Sequence, residues 1–216
     1  MNADAPSGQA RNARTKLLDA ALGLIRAQGY AATSVDDLCR AAGVTKGAFF
    51  HHFESKDALA VAAARHWSAV TGALFASAPY HDHADPLDRV LAYIDFRAAL
   101  IEGAPADFTC LAGTMVQEAF AASDEIRAAC EASIFGHAAT LEADIEAAVA
   151  KYKIEGDWTA KSLALHTQAV LQGAFILAKA QGGPEIAREM AGHLKRYVEL
   201  LFKQSKGERN GRDNRR

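Results

Sequence analysis

The chain has 216 residues, half of them hydrophobic and under a quarter charged, enough to bury a sizeable core in one large domain or two modest ones. No apolar run approaches the roughly 20 residues of a membrane-spanning helix, the start lacks the apolar stretch of a signal peptide, and three scattered cysteines exclude a disulfide framework or a four-cysteine zinc site, so the cytoplasm is the expected location. Charge is unevenly spread: residues 1–58 hold seven Lys/Arg against six Asp/Glu, 59–203 hold twelve against eighteen, and 204–216 hold five against two, so an acidic body has a more basic head and tail.

Strand signals are nearly absent and apolar residues recur every three or four positions, which predicts an all-α fold. The first helix is expected from Thr15 through Leu17, Leu18, Ala21, Leu22 and Ile25, closing at Gly29. Thr33 with Asp36 and Ser34 with Asp37 both fit a capping box, so a short second helix should direct Val35, Leu38 and Cys39 inward and end at Gly43. Thr45 then caps a third helix over Lys46 to Phe53, and Ser55 opens a long fourth helix that stops before Pro79. Further helices are predicted over 86–102, 108–121, 124–153, 158–181 and 185–203, divided by Pro86, Pro105, Ser123, Gly156 and Gly182-Gly183-Pro184. The segment after 203 has no apolar residue and reads as a solvated, mobile tail.

Two short helices joined by a tight glycine turn, the second opening on a hydroxyl cap and bearing polar residues, form the pattern of a DNA-reading helix-turn-helix. Residues 14–59 resemble the amino-terminal domain of the TetR/AcrR family of regulators in the helix ending GlnGlyTyr, the AlaThrSerValAspAspLeu start, AlaGlyValThrLysGly, an aromatic-rich reading helix and SerLysAspAlaLeu. The resemblance implies a flexible arm (1–13), a DNA-binding domain (14–58), a larger ligand-binding and dimerisation domain (59–203) and a basic tail (204–216). It implies phosphate contacts by Thr33, Lys46, Phe50 or His51, His52 and Lys56, and major-groove contacts by Thr45, Gly47, Ala48 and His51. The family commonly has tyrosine where this chain has Phe50, whose ring cannot donate to phosphate and is left with apolar contact. Arg11 and Arg14 precede the predicted first helix, either as a minor-groove arm or as an ordinary solvated terminus.

After residue 85 the helices hold pocket-forming residue types: Phe96, Phe108, Met115, Phe120, Phe135, Trp158 and Phe175, with His137, His166 and Gln172 as polar candidates. Apolar stripes on the last two helices, with the small Gly173 and Ala174, suit the paired-helix homodimer interface (160–203) that the resemblance implies, although an intramolecular core gives the same stripe. ThrCysLeuAlaGlyThrMet is similar to a branch with a GlyCysLeu start that includes electrophile-sensing repressors. That likeness makes Cys110, at a helix start, a candidate sensor and Lys179 its candidate neighbour; the other reading is a small buried hydrophobe. Cys130 is a candidate resolving thiol, and HisAspHisAlaAsp at 81–85 reads as a polar loop.

The expected function is a repressor that binds a palindromic DNA operator as a homodimer and is released by a small-molecule effector or by modification of Cys110, with effector-side candidates Cys110, Lys179, Phe96, Met115, Phe135 and His166. Two alternatives stand beside it, an architectural DNA-binding protein with no effector and a helical-bundle enzyme. No phosphate loop, dinucleotide fingerprint, HisGlu metal motif or serine elbow supports the enzyme, and no cofactor or metal is expected.

Overall fold

The computed structural model describes the backbone of residues 8–212 and the side chains of 13–203. Among the described residues there is no strand, and no helix is long and apolar enough to cross a membrane. The helices are α1 (Gly8–Gln28), α2 (Val35–Ala42), α3 (Lys46–His52), α4 (Lys56–Ala76), α5 (Pro86–Ala99), α6 (Pro105–Phe108), α7 (Leu111–Ala119), α8 (Asp124–Ala139), α9 (Glu142–Tyr152), α10 (Ala160–Gln181) and α11 (Glu185–Arg212). Chain contacts divide them into two compact units, residues up to 72 with 109–134, and 73–108 with 135 onward.

Helix α1 starts at Gly8, ahead of the expected Thr15, so Arg14 rides on α1 instead of on an arm. Residues 1–7, the Arg11 side chain and residues 213–216 lie outside the described residues, so parts of the expected arm and tail are not described. The predicted helix over 108–121 is the single turn α6 followed by α7. The one over 124–153 breaks after Ala139, where the Thr140 hydroxyl donates to the His137 carbonyl at 2.7 Å. Helix α9 ends on Lys153 in the left-handed region (φ 51°), a non-glycine closure that composition does not announce.

The core of the first unit joins Leu17, Leu18, Ala21 and Ile25 of α1 to Leu38 and Cys39 of α2, Phe49 of α3, Leu59 and Ala63 of α4, Leu111 and Met115 of α7, and Ile126 and Cys130 of α8. In the second unit α10 packs on α11, α11 on α5, and α9 on both α5 and α10. Its core includes Phe75, Tyr80, Val90, Tyr93, Ile94, Ile145, Leu163, Leu171, Leu194 and Val198.

Candidate nucleic-acid interface and sensing half

Two residues qualify for the start of α2, and local chemistry selects the second. Ser34 is extended (φ −90°, ψ 162°); its hydroxyl accepts from the Asp37 N–H at 3.1 Å, while Asp37 accepts from the Ser34 N–H at 3.1 Å and from its hydroxyl at 2.6 Å. These bonds hold the Asp37 carboxyl below its usual range. Thr33 is buried instead: its hydroxyl donates to the Gly29 carbonyl at 2.6 Å and its N–H to the Tyr30 carbonyl at 3.2 Å. Both of its donors are engaged within the turn, so Thr33 is not gathered with the outward-facing residues.

Gly43 adopts φ 64° and ψ 38°, the left-handed closure that an L side chain resists, and turns the chain from α2 into α3. Thr45 caps α3 by accepting from the Ala48 N–H at 3.1 Å. Phe49 is fully buried, which orients the short helix and leaves Lys46, Gly47, Phe50 and His51 exposed, with Ala48 and His52 half-buried. Phe50 is 56% exposed, an apolar surface the fold itself has not used. The structure therefore brings Thr45, Lys46, Gly47, Ala48, Phe50, His51 and His52 together on one short helix and its cap.

Two cations have partners. The Lys46 ammonium pairs with Asp36 of α2 at 2.7 Å, both groups being mostly exposed, and this partner raises the lysine pKa. Lys56, in the first turn of α4, donates to the Tyr30 carbonyl at 3.1 Å with its nitrogen 4.2 Å from the Tyr30 ring centroid. The Tyr30 hydroxyl donates to Asp57, and burial followed by that bond pushes the phenol pKa far up. Arg14 stacks on Phe53, which closes α3, at 5.3 Å.

Helix α7 reaches this region from behind. Cys110 is its cap, with Sγ accepting from the Gly113 N–H at 3.3 Å, and at the other end the Glu118 carboxylate accepts from the Ala31 N–H at 2.7 Å, in the turn leading to α2. Cys110 is half-buried and Cys130 fully buried, its thiol pushed up to about 12 by burial and then by the nearby Cys110. The buried hydroxyl of Thr109, beside Cys110, has no partner among the described residues. Met115 is fully buried in the same core, whereas Lys179 lies on α10 of the second unit.

Within the second unit the sequence candidates disperse. Phe135 is 51% exposed, and His166 stands exposed on α10 with its ring 5.0 Å from Tyr197. Phe96 joins a cluster that composition did not reveal: Phe75 lies 5.6 Å from Phe96, 5.7 Å from Tyr93 and 4.5 Å from His137 between ring centroids. There the Tyr93 hydroxyl meets His137 Nε2 at 2.9 Å, Gln168 Nε2 donates to the Tyr93 hydroxyl at 3.2 Å, and Arg97 Nη1 approaches His137 Nε2 at 3.2 Å. Burial, reinforced by the Arg97 charge, lowers the His137 pKa to about 4. In the 81–85 segment Asp85 caps α5, pairs with Lys151 at 2.7 Å and accepts from Tyr152, so its carboxylate serves packing.

A short helix presented outward on a helical base, entered through a left-handed glycine turn and followed by a second helical unit, defines a DNA-binding transcriptional regulator and not an enzyme. Residues 17–63 match the amino-terminal domain of the bacterial regulatory proteins of the tetR family, and residues 86–194 match the tetracyclin repressor-like C-terminal domain; the chain belongs to the TetR family. Residues of the first match are similar to the transcriptional repressor KstR2 of Rhodococcus jostii (44% identical over 57 residues, 26% of this chain and 28% of that protein) and to the regulator AcrR of Shigella flexneri (43% over 51 residues, 24% of each). The chain thus matches about a quarter of the length of these curated relatives. Solved structures of the same fold include a TetR-family regulator from Agrobacterium tumefaciens (TM-score 0.75, 23% identity, 88% of this chain and 98% of that one) and the reduced form of E. coli NemR (TM-score 0.70, 25% identity, 85% and 96%).

Proposed function

We propose that the chain is a cytoplasmic, homodimeric repressor that occupies a pseudo-palindromic operator and leaves it when a small molecule, or modification of Cys110, shifts α4 and respaces the two reading helices. The observation that carries this reading is α3 itself, with Phe49 locked in the core and Lys46, Gly47, Phe50 and His51 left outward. Lys46, His52 and Lys56 hold phosphates; Gly47 and Ala48 allow close approach to base edges, and Thr45 and His51 read them. Phe50 adds apolar contact with sugar or a thymine methyl.

Homodimerisation is supported by an apolar face that the protomer leaves open. Ala169, Gly173, Ile176, Leu177 and Ala180 follow helical spacing along one side of α10, and Tyr197 and Leu200 stand out from α11. Ile176 and Leu200 are at least half exposed, whereas Ala174, Leu194 and Val198 of the predicted stripes are buried in the protomer's own core. Sequence periodicity alone merges the two sets.

Operator footprinting tests the main reading. Twofold protection with half-site centres about 34 to 36 Å apart, or somewhat more, is expected, and protection of a single half-site by a monomer would refute it. For Cys110 the test is maleimide labelling followed by operator binding in wild type, Cys110→Ser and Lys179→Ala. Labelling of Cys110 ahead of the buried Cys39 and Cys130, with DNA release in wild type but not in Cys110→Ser, is expected; equal release in both proteins would leave Cys110 a structural cap.

A further inference from the structure

The guanidinium of Arg97 is the chemically unfinished group of the second unit. It lies 5.3 Å from the Phe75 ring centroid and 5.8 Å from that of Phe175, so it sits between two aromatic rings on a half-buried stretch of α5. A guanidinium has five N–H donors and accepts nothing. Among the described residues it contacts two uncharged groups, His137 Nε2 at 3.2 Å from Nη1 and the Tyr93 hydroxyl, and no carboxylate pairs with it. The other lysines and arginines of this unit that the structure pairs are matched with acids: Arg89 with Asp144, Lys151 with Asp85, Arg188 with Glu102, Lys195 with Asp95 and Lys203 with Glu199.

The hydrogen bonds around it have one consistent direction. Because Arg97 can only donate, His137 Nε2 must be an acceptor, which fixes the proton of the neutral imidazole on Nδ1. Tyr93 then also donates to Nε2, and Gln168 donates to Tyr93. Arg97 and Tyr93, which itself accepts from Gln168, therefore share the single lone pair of His137 Nε2, and this shared acceptor positions the guanidinium without neutralising it. Ring faces supply only part of what a partly desolvated cation lacks, and a carboxylate supplies the rest with paired N–H bonds.

We propose that this cluster recognises a small aromatic carboxylic acid as the effector, the carboxylate bound by Arg97 and the apolar body laid against the half-buried Phe96 and Phe108, whose rings pack on Phe75 and Phe175. The proposal rests on the regulator reading above, in that it supplies the ligand class for the sensing half. A structural role for Arg97, bracing His137, requires no ligand and predicts no preference for acids.

The experiment uses the full-length protein and three matched pairs of probes: benzoate with benzamide, phenylacetate with phenylacetamide, and 2-naphthoate with 2-naphthamide. Binding is read by calorimetry and thermal shift, with operator binding followed in the same samples. At least one acid should bind in the millimolar range or tighter and at least about tenfold more tightly than its amide, about 1.4 kcal/mol. That preference should vanish in Arg97→Met and survive in part in Arg97→Lys, which keeps the charge and guards against loss of fold. Equal binding of acid and amide, an acid preference that persists in Arg97→Met, or no binding by any of the three acids would overturn the inference. A protein that binds operator but no acid loses this inference and keeps the regulator reading; one that binds acids through Arg97 but no DNA does the reverse.

Discussion

Lys46 reaches a phosphate only by leaving Asp36 or by being shared between the two, because the pair is formed at 2.7 Å on the face that α3 turns outward. An exposed pair of this kind contributes little to stability, but a carboxylate at a phosphate-binding surface opposes the polyanion. Asp36→Asn is therefore expected to raise affinity for operator and unrelated DNA alike by a factor of a few, while Lys46→Ala lowers both and reduces the salt slope by about 1. Fluorescence anisotropy over a salt series decides this, and an Asp36→Asn protein with unchanged affinity for both would show that Lys46 is not limited by its partner. His137 gives the second residue-scale expectation. Its pKa falls from 6.5 to about 4 on folding, so the unfolded chain takes up a proton that the folded chain refuses; stability is full above about pH 6.5 and is lost as pH falls toward 4. The loss should amount to about 1 to 3 kcal/mol in wild type and be absent from the difference curve of His137→Gln in a pH series of thermal melts. The α3 residues were legible because they are contiguous and share one cap. The grouping of Tyr93 and Arg97 of α5 with His137 of α8 and Gln168 of α10 was not, since the three helices are far apart in sequence and no local pattern marks their meeting.

At the scale of elements, α7 links a thiol to the turn that launches the helix-turn-helix. Cys110 caps its first turn and Glu118, near its end, holds the Ala31 N–H, with Gly29 so close that an added Cβ would meet the same carboxylate. Glu118→Ala should cost about 1 to 2 kcal/mol of stability and weaken operator binding beyond that loss, because the entry to α2 is no longer pinned. Matched thermal melts and anisotropy titrations check it; unchanged values in both would mean that the bond has no hold on the turn. Helix number and order were largely readable from periodicity, caps and glycines. The break between α8 and α9 was not, because it rests on a threonine hydroxyl in a stretch of good helix formers, and α9 closes on a lysine at positive φ where glycine would have been the signal.

At the scale of the whole molecule, the exposed face of α10 and α11 is the surface on which the proposed dimer rests. An added Cβ at Gly173 meets nothing within 4 Å inside the protomer, so the protomer has room for the start of a side chain there and Gly173→Leu is expected to act chiefly on a neighbouring copy. Light scattering is expected to show a dimer in wild type and a monomer, or at least a dimer weakened about tenfold, in Gly173→Leu, with helical content unchanged. A variant as dimeric as wild type would place the interface elsewhere. The periodicity of these helices foretold that an apolar stripe exists; which half of it faces inward required the packed structure, since Leu194 and Leu200 differ only in which side of one helix they occupy. A further consequence concerns gene dosage. If one operator needs two chains joined through this face, then below the dissociation constant of the dimer its occupancy grows with roughly the square of the amount of protein made, so halving synthesis removes about three quarters of the repression instead of half.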